Sequence, residues 1–201
     1  MARLPEPLSR HDRQRQTREA LIFAARRVFS DVGFHAATLE RIAREAGFSK
    51  GAVYSNFEDK SDLFLAVMDA DLARAQPAAT DPFDRQAGPA PTGRGIGGRE
   101  GSSREATQGF ALATLEFIAR AARDEKLAAQ MHQRLAALLD SYTEIARAGR
   151  TDDETLSAPE VGTLLAALDQ GAGLIELAGG VAADARLFDV GTRRLLDPAR
   201  A

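Results

Sequence analysis

Between Thr38 and Phe57 the sequence reads as two short helices joined by about three residues, and no other stretch limits the fold as tightly. Thr38 is a good N-cap, because a threonine hydroxyl accepts from a backbone N–H that the first helical turn leaves unpaired. Leu39, Ile42, Ala43 and Ala46 then share one helical face. Gly47 suits the left-handed residue that ends a helix, and Phe48 can fold back on Ala43 or Ile42. Ser49 caps the next helix, with Phe48 and Val53 at the two ends of a hydrophobic staple.

Helical spacing extends on both sides of this turn. Leu21, Ala25, Val28, Phe29 and Val32 form an apolar face that Gly33 interrupts. A helix beginning near Asp59 carries Leu63, Phe64, Val67, Met68 and Leu72, with Pro77 as its limit. Residues 1–12, with Pro5 and Pro7, read as a mobile arm. Residues 77–103 hold Pro77, Pro82, Pro89 and Pro91 and six glycines between Gly88 and Gly101, the composition of a long loop or disordered insert. Helical pattern resumes after Ser102, a capping-box partner for Glu105, with Phe110, Ala113, Phe117 and Ala121 on one side. Leu127, Met131, Leu135, Leu138, Tyr142 and Ile145 follow in a helix ending at Gly149. Ser157-Ala158-Pro159-Glu160 opens another, lined by Leu164, Leu168, Gly171 and Ile175. After Gly179-Gly180 a final helix aligns Val181, Ala185, Phe188, Thr192 and Leu195. Nothing alternates like a strand, so the expected fold class is all-α.

Composition removes several kinds of chemistry. Cysteine is absent, which excludes disulfides, thiolate zinc sites and a cysteine nucleophile. His11, His35 and His132 are too scattered for a metal site, and neither metal nor cofactor is expected. Gly93-Arg94-Gly95-Ile96-Gly97-Gly98 matches a dinucleotide fingerprint in letters alone, since no strand precedes it to aim a helix at a pyrophosphate. Asp152-Asp153-Glu154 after Thr151 reads as the acidic first turn of a short helix rather than a catalytic carboxylate pair. No enzyme activity has residues to carry it. No apolar run is long enough for a bilayer and the start has no signal-peptide core, so the expected place is the cytoplasm, away from membranes. The net charge of -3 conceals an excess of basic residues over residues 1–60, the direction expected of a segment that meets phosphates.

From about Arg13 to Arg74 the sequence resembles the DNA-binding domain of the TetR family of transcriptional regulators. The resemblance is carried by Phe29, Gly33-Phe34, Thr38, Ile42-Ala43, Ala46-Gly47, Ser49, Gly51, Tyr54, Phe57, Lys60 and Leu63. It implies an N-terminal three-helix helix-turn-helix domain over 13–74, with the motif at about 38–57. A C-terminal helical dimerisation and ligand-binding domain over 104–201 would follow, and double-stranded operator DNA, a second copy of the chain and a small-molecule effector would be the partners. In such a motif the second helix enters the major groove and reads base edges with its first residues while flanking elements hold phosphates. Lys50 can reach guanine O6 or N7, or a phosphate, and Gly51 and Ala52 admit close backbone approach or touch a thymine methyl. Thr38, Tyr54 and Lys60 resemble the family's phosphate clamps. Asn56 stands where the commonest pattern has histidine and can still donate to a phosphate, and Ser55 faces either DNA or solvent. The arginines of the arm, from Arg3 to Arg18, are candidates for minor-groove or phosphate contact.

For the second half only architecture carries over. Phe110, Phe117, Met131, His132, Leu135, Leu139 and Tyr142 could line a mainly apolar effector pocket or serve as core. Leu164, Leu168, Gly171, Ile175 and Phe188 could form the dimer seam, and close helix approach there would be a motive for Gly162, Gly171 and Gly173. The function these readings imply is a repressor that binds a palindromic operator as a homodimer and is released by a largely apolar effector. The alternatives are a ligand-independent regulator or activator, and an all-helical protein-interaction module.

Overall fold

A computed structural model describes residues 9–75, 104–152, 154–179 and 185–197 of the chain of 201. Every regular element among them is α-helical. In order they are α1 (Arg10–Ala36), α2 (Leu39–Glu45), α3 (Lys50–Tyr54), α4 (Lys60–Ala75), α5 (Arg104–Ala121), α6 (Glu125–Gly149), α7 (Ala158–Leu177) and α8 (Ala185–Leu196). The expected insert over 77–103, the glycine-rich match within it, Ser102 and most of the expected arm lie outside the described residues. What is described of the arm differs from expectation. Ser9 accepts the Asp12 N–H at 3.1 Å and starts α1 at Arg10, since a serine cap satisfies an orphan donor that a free tail leaves to water.

Gly33 does interrupt α1. Its φ of 78° is left-handed backbone that glycine adopts without steric cost, and the chain bends there before turning into α2. Phe29 and Phe34, on either side of the bend, meet Phe64 of α4 and Phe110 and Phe117 of α5 in one aromatic cluster. Phe29 and Phe64 lie edge to face at 4.8 Å, Phe34 and Phe117 edge to face at 5.0 Å, and Phe64 and Phe117 stack at 4.7 Å. These geometries suit ring quadrupoles and add to the gain from burying the rings. The same core takes in Leu21, Ile42, Val53, Leu63, Leu127 and Met131, so α5 and the start of α6 complete the core of the N-terminal helices. A second cluster, with Ala146, Ala158, Val161, Leu165 and Leu196, joins α6, α7 and α8.

Two close approaches fasten these units. Gly109 of α5 faces the Ser30 backbone of α1 so tightly that an added Cβ would lie 2.9 Å from the Ser30 carbonyl carbon. Gly162 of α7 faces α6, where a Cβ would lie 2.7 Å from Thr143 N. The motive expected for Gly162 at a dimer seam is thus met within the chain, whereas Gly171 has open space around it. Ser157 donates its N–H and hydroxyl to Glu160 Oε2 at 2.8 and 2.6 Å, as its four-residue sequence pattern anticipates. Of the acidic run before it, the described residues Asp152 and Glu154 stand outside any helix. Thr151 N–H donates to Leu196 O at 3.1 Å, and this tether to α8 holds the segment in a turn that buries Glu154.

The seven expected pocket residues do not line one cavity. Phe110, Phe117 and Met131 are core side chains, because α5 closes over α1 and α4, while His132, Leu135 and Leu139 lie exposed on α6. Tyr142 is half-buried and donates to Asp169 Oδ2 at 2.5 Å. Burial, and secondly the Asp169 carboxylate, push its phenol well above the ordinary range.

Candidate nucleic-acid interface

The turn between α2 and α3 is closed by backbone geometry. Gly47, at φ 73°, donates to Arg44 O at 3.1 Å, and Phe48 donates to Ala43 O at 2.9 Å. This pair is a Schellman motif, which satisfies two carbonyls that the end of α2 would otherwise leave bare. Thr38 Oγ1 accepts the Arg41 N–H at 3.2 Å and Ser49 Oγ accepts the Ala52 N–H at 3.2 Å, so both caps act as the sequence predicts. With Val53 and Phe57 buried, the opposite side of α3 faces solvent and presents Ser49, Lys50, Gly51, Tyr54 and Ser55, while Ala52 is half-buried. Thr38 is exposed at the start of α2.

Several charged groups of this surface are already engaged. Lys50 Nζ pairs with Glu40 Oε1 of α2 and stands 5.6 Å from the centre of the Tyr54 ring. The Glu40 carboxylate holds the Lys50 ammonium above its usual range, and Lys50 in turn holds Glu40 below the usual carboxylate range. Asn56 folds its amide onto Ala52 O at 2.8 Å and Ser55 Oγ at 3.3 Å, and Ser55 Oγ donates to Ala52 O at 3.0 Å. Both side chains thereby cap the end of their own short helix. Arg18, expected among the phosphate-seeking arginines of the arm, instead lays its guanidinium 4.2 Å over the Phe57 ring and donates to Asn56 O at 2.5 Å.

Lys60 departs most from expectation. Its ammonium donates to Phe34 O, His35 O and Ala37 O at 2.7, 3.0 and 2.9 Å, which uses all three of its protons. Burial, and secondly Arg120, lower its pKa. Lys60 is therefore a cap for the bend after Gly33 and not a free cation at the surface. The same bend is held from the other side by Glu116 of α5, whose Oε2 accepts the His35 N–H at 2.9 Å. Sequence reasoning overlooked Glu116 and Glu40, because both act on residues far away in the chain and neither stands in a motif. The long α1 is fixed to α4 by Arg26, whose Nε lies 3.0 and 2.9 Å from the two Asp71 oxygens, and α6 to α4 by Arg134 and Asp69 at 2.7 Å.

Elsewhere on the described residues, two open clefts of about 330 and 260 Å³ lie where α5 and α6 meet the N-terminal helices. The first is lined by His35, Ala119, Arg120, Arg123 and Asp124, a charged rim rather than an enclosed apolar site. On α7, Leu164, Leu174 and Ile175 are exposed and Leu168 is half-buried, with Leu187 and Val190 exposed on α8. The side chain of Phe188 lies outside the described residues.

Capped short helices about a Schellman turn, packed on a long α1 within an all-helical chain, define a helix-turn-helix protein. Residues 21–67 match the family model described as bacterial regulatory proteins, tetR family. Over these residues the chain carries a domain similar to that of the tetR-family bacterial regulatory proteins. It is 45% identical over 53 residues to the transcriptional repressor BepR of Brucella suis, a match covering 26% of this chain and 25% of that one. It is also 45% identical over 53 residues to the transcriptional activator FasR of Mycolicibacterium smegmatis, covering 26% and 24%. The chain thus spans about a quarter of the length of these curated relatives. A crystal structure of a TetR-family transcriptional regulator from Rhodococcus sp. superposes with a TM-score of 0.69 at 21% identity, over 90% of this chain and 98% of the other, which extends the likeness of fold through the C-terminal helices. Among the described residues, no helix is long and apolar enough to cross a membrane.

Proposed function

We propose that the chain is a repressor that binds a palindromic operator as a homodimer, with residues 13–74 as its DNA-binding unit and 104–201 carrying dimerisation and effector control. The observation that carries the reading is the outward face of α3, where Ser49, Lys50, Gly51 and Tyr54 are exposed, with Thr38 exposed at the start of α2. A helix of five residues reaches few bases, and a two-fold pair of such helices doubles the contact. The apolar row Leu164, Leu168 and Ile175 on α7, with Leu187 and Val190 exposed on α8, supports that pairing as a surface a second copy could cover. Repression is chosen on the likeness to BepR, and activation is the alternative that FasR keeps open.

Selection of binding sites from random DNA, followed by titration of the selected site against scrambled DNA, tests the reading. A selected palindrome should bind with Kd on the order of 10⁻⁸ to 10⁻¹¹ M and weaken steeply with salt. Equal affinity for selected and scrambled DNA would overturn it and favour a protein-interaction module. Effector release rests on the separate helical packing of α6 to α8. With Phe110, Phe117 and Met131 built into the core, a ligand would have to part α6 from α7, where the Tyr142–Asp169 pair is the polar handle. A ligand of the body qualifies as the effector only if DNA weakens its binding by the same factor by which it weakens DNA binding.

A further inference from the structure

We propose that Glu40 is a positioning residue that sets the sequence selectivity of the DNA interface, by tethering Lys50 so that its ammonium meets base edges rather than phosphates; this rests on the operator-binding reading above. The two side chains come from different helices. Glu40 lies in the first turn of α2 and Lys50 opens α3, and the Schellman turn at Gly47 brings their charged ends into contact on the exposed face. Both are about half exposed, 53% and 55%, so the pair stands in the surface that would meet DNA.

A free lysine is a poor reader of sequence. Its ammonium is a point charge on a flexible four-carbon stem, and near a duplex it finds a phosphate as readily as a guanine. Here the ammonium is held between the Glu40 carboxylate and the Tyr54 ring, which leaves it protons to donate to guanine O6 or N7 while narrowing where it can go. Glu40 acts against phosphates in a second way. Its own charge repels them, and its partnership with Lys50 makes the pair neutral, so a duplex offering only backbone gains little from either residue. Opposite a cytosine, by contrast, a carboxylate oxygen can accept from the N4 amine. A tethered glutamate and lysine thus favour a G·C step over bare backbone.

Glu40→Gln removes the charge and keeps the shape. Binding of the purified protein to its selected site and to random DNA, measured across a salt series, should show tighter random binding by the variant. The slope of log K against log salt should steepen by up to about 0.9 per protomer, as Lys50 is freed for one phosphate. The ratio of specific to random affinity should fall by about 5- to 150-fold. In a Lys50→Ala background the same substitution should lower the ratio much less, because no tethered cation remains and only the direct effects of the Glu40 carboxylate are lost. An unchanged ratio in Glu40→Gln would overturn the inference. An equal fall in the Lys50→Ala background would overturn it too, since Glu40 would then act by general charge alone. A wild-type protein that prefers no sequence would overturn the operator reading itself, and this inference with it.

Discussion

Replacing Gly162 by alanine tests the close crossing of α6 and α7. A Cβ at this position would lie 2.7 Å from Thr143 N, 2.8 Å from Thr143 Cα and 3.0 Å from Thr143 Oγ1. Carbon atoms settle at roughly 3.5 to 4.0 Å from their neighbours, so the helices must part by several tenths of an ångström or more. The first two obstacles are backbone, which cannot rotate aside as a side chain tip would. Overpacking of this kind costs about 1–3 kcal/mol, and the gain in helix propensity from glycine to alanine returns up to about 1 kcal/mol. A net loss of about 1–2 kcal/mol should lower Tm by roughly 2–8 °C in a chain of this size. Thermal unfolding followed by circular dichroism at two protein concentrations is the assay. Because the obstacle is within the chain, the deficit should be the same at both concentrations, whereas a clash across a dimer seam would change with protomer concentration. Gly51→Ala is the control, since its Cβ would meet nothing closer than Ser49 Oγ at 3.7 Å and should leave Tm unchanged or slightly raised. A Gly162→Ala protein that melts at or above the wild type would refute the geometry on which this rests.

Other substitutions read other parts of the molecule. Lys60→Gln should strip the bend after Gly33 of its cap, lowering stability by about 1–3 kcal/mol in urea denaturation even without DNA, an effect that loss of a mere phosphate contact would not produce. Ile175→Glu, at a residue 56% exposed, should leave the helical content intact yet yield monomers with little operator affinity; a dimer that persists in sedimentation would place the seam elsewhere. Leu168→Glu is a less clean test, because Leu168 also packs near Gly191 of α8. The Ser157 hydroxyl, and secondly its backbone N–H, hold Glu160 below its ordinary 4.5. A carboxylate depressed by folding stabilises above its unfolded pKa, and this contribution fades as pH falls through the folded value. Acid titration of stability should therefore be shallower below pH 4.5 in Glu160→Gln than in the wild type, and coincident acid limbs would count against the cap.

Features closed within one or two helical turns were legible in the sequence. The caps at Thr38 and Ser49, the left-handed Gly47 and the Ser157–Glu160 pair each depend on partners three to five residues away, so residue type and spacing specify them. Tertiary assignments were not legible in the same way. Helical spacing says that Phe110, Phe117 and Met131 face inward but not what they face, and a core residue and a pocket residue share one pattern. Lys60 illustrates the same limit for charge. Its stem is long enough to reach a phosphate or three carbonyls of the preceding turn, and only the bend at Gly33 decides between them.

That α5 belongs to the N-terminal core bears on how any signal could reach the proposed DNA-binding face of α3. Phe110 and Phe117 fill the space between α1 and α4, Gly109 presses against the Ser30 backbone, and Glu116 holds the bend that leads to Thr38. Rotating α1 to α4 away from α5 would expose that aromatic cluster and leave the His35 N–H without its carboxylate. Burying aromatic surface is worth too much for such a hinge to open under a coupling of about 1–3 kcal/mol. A boundary drawn at the end of α4 is therefore the wrong place to look for motion. The start of α6 shares that core through Leu127 and Met131, but its remaining contacts with the head are of another kind. Arg134 with Asp69, and Lys126 with Glu58 at 3.7 Å, are ion pairs near the surface that can exchange for water at little cost. With Leu127 and Met131 held in the core, the movement that these contacts permit is a tilt of α6 beyond Met131, and it would carry α7, packed against α6 at Gly162, along with it.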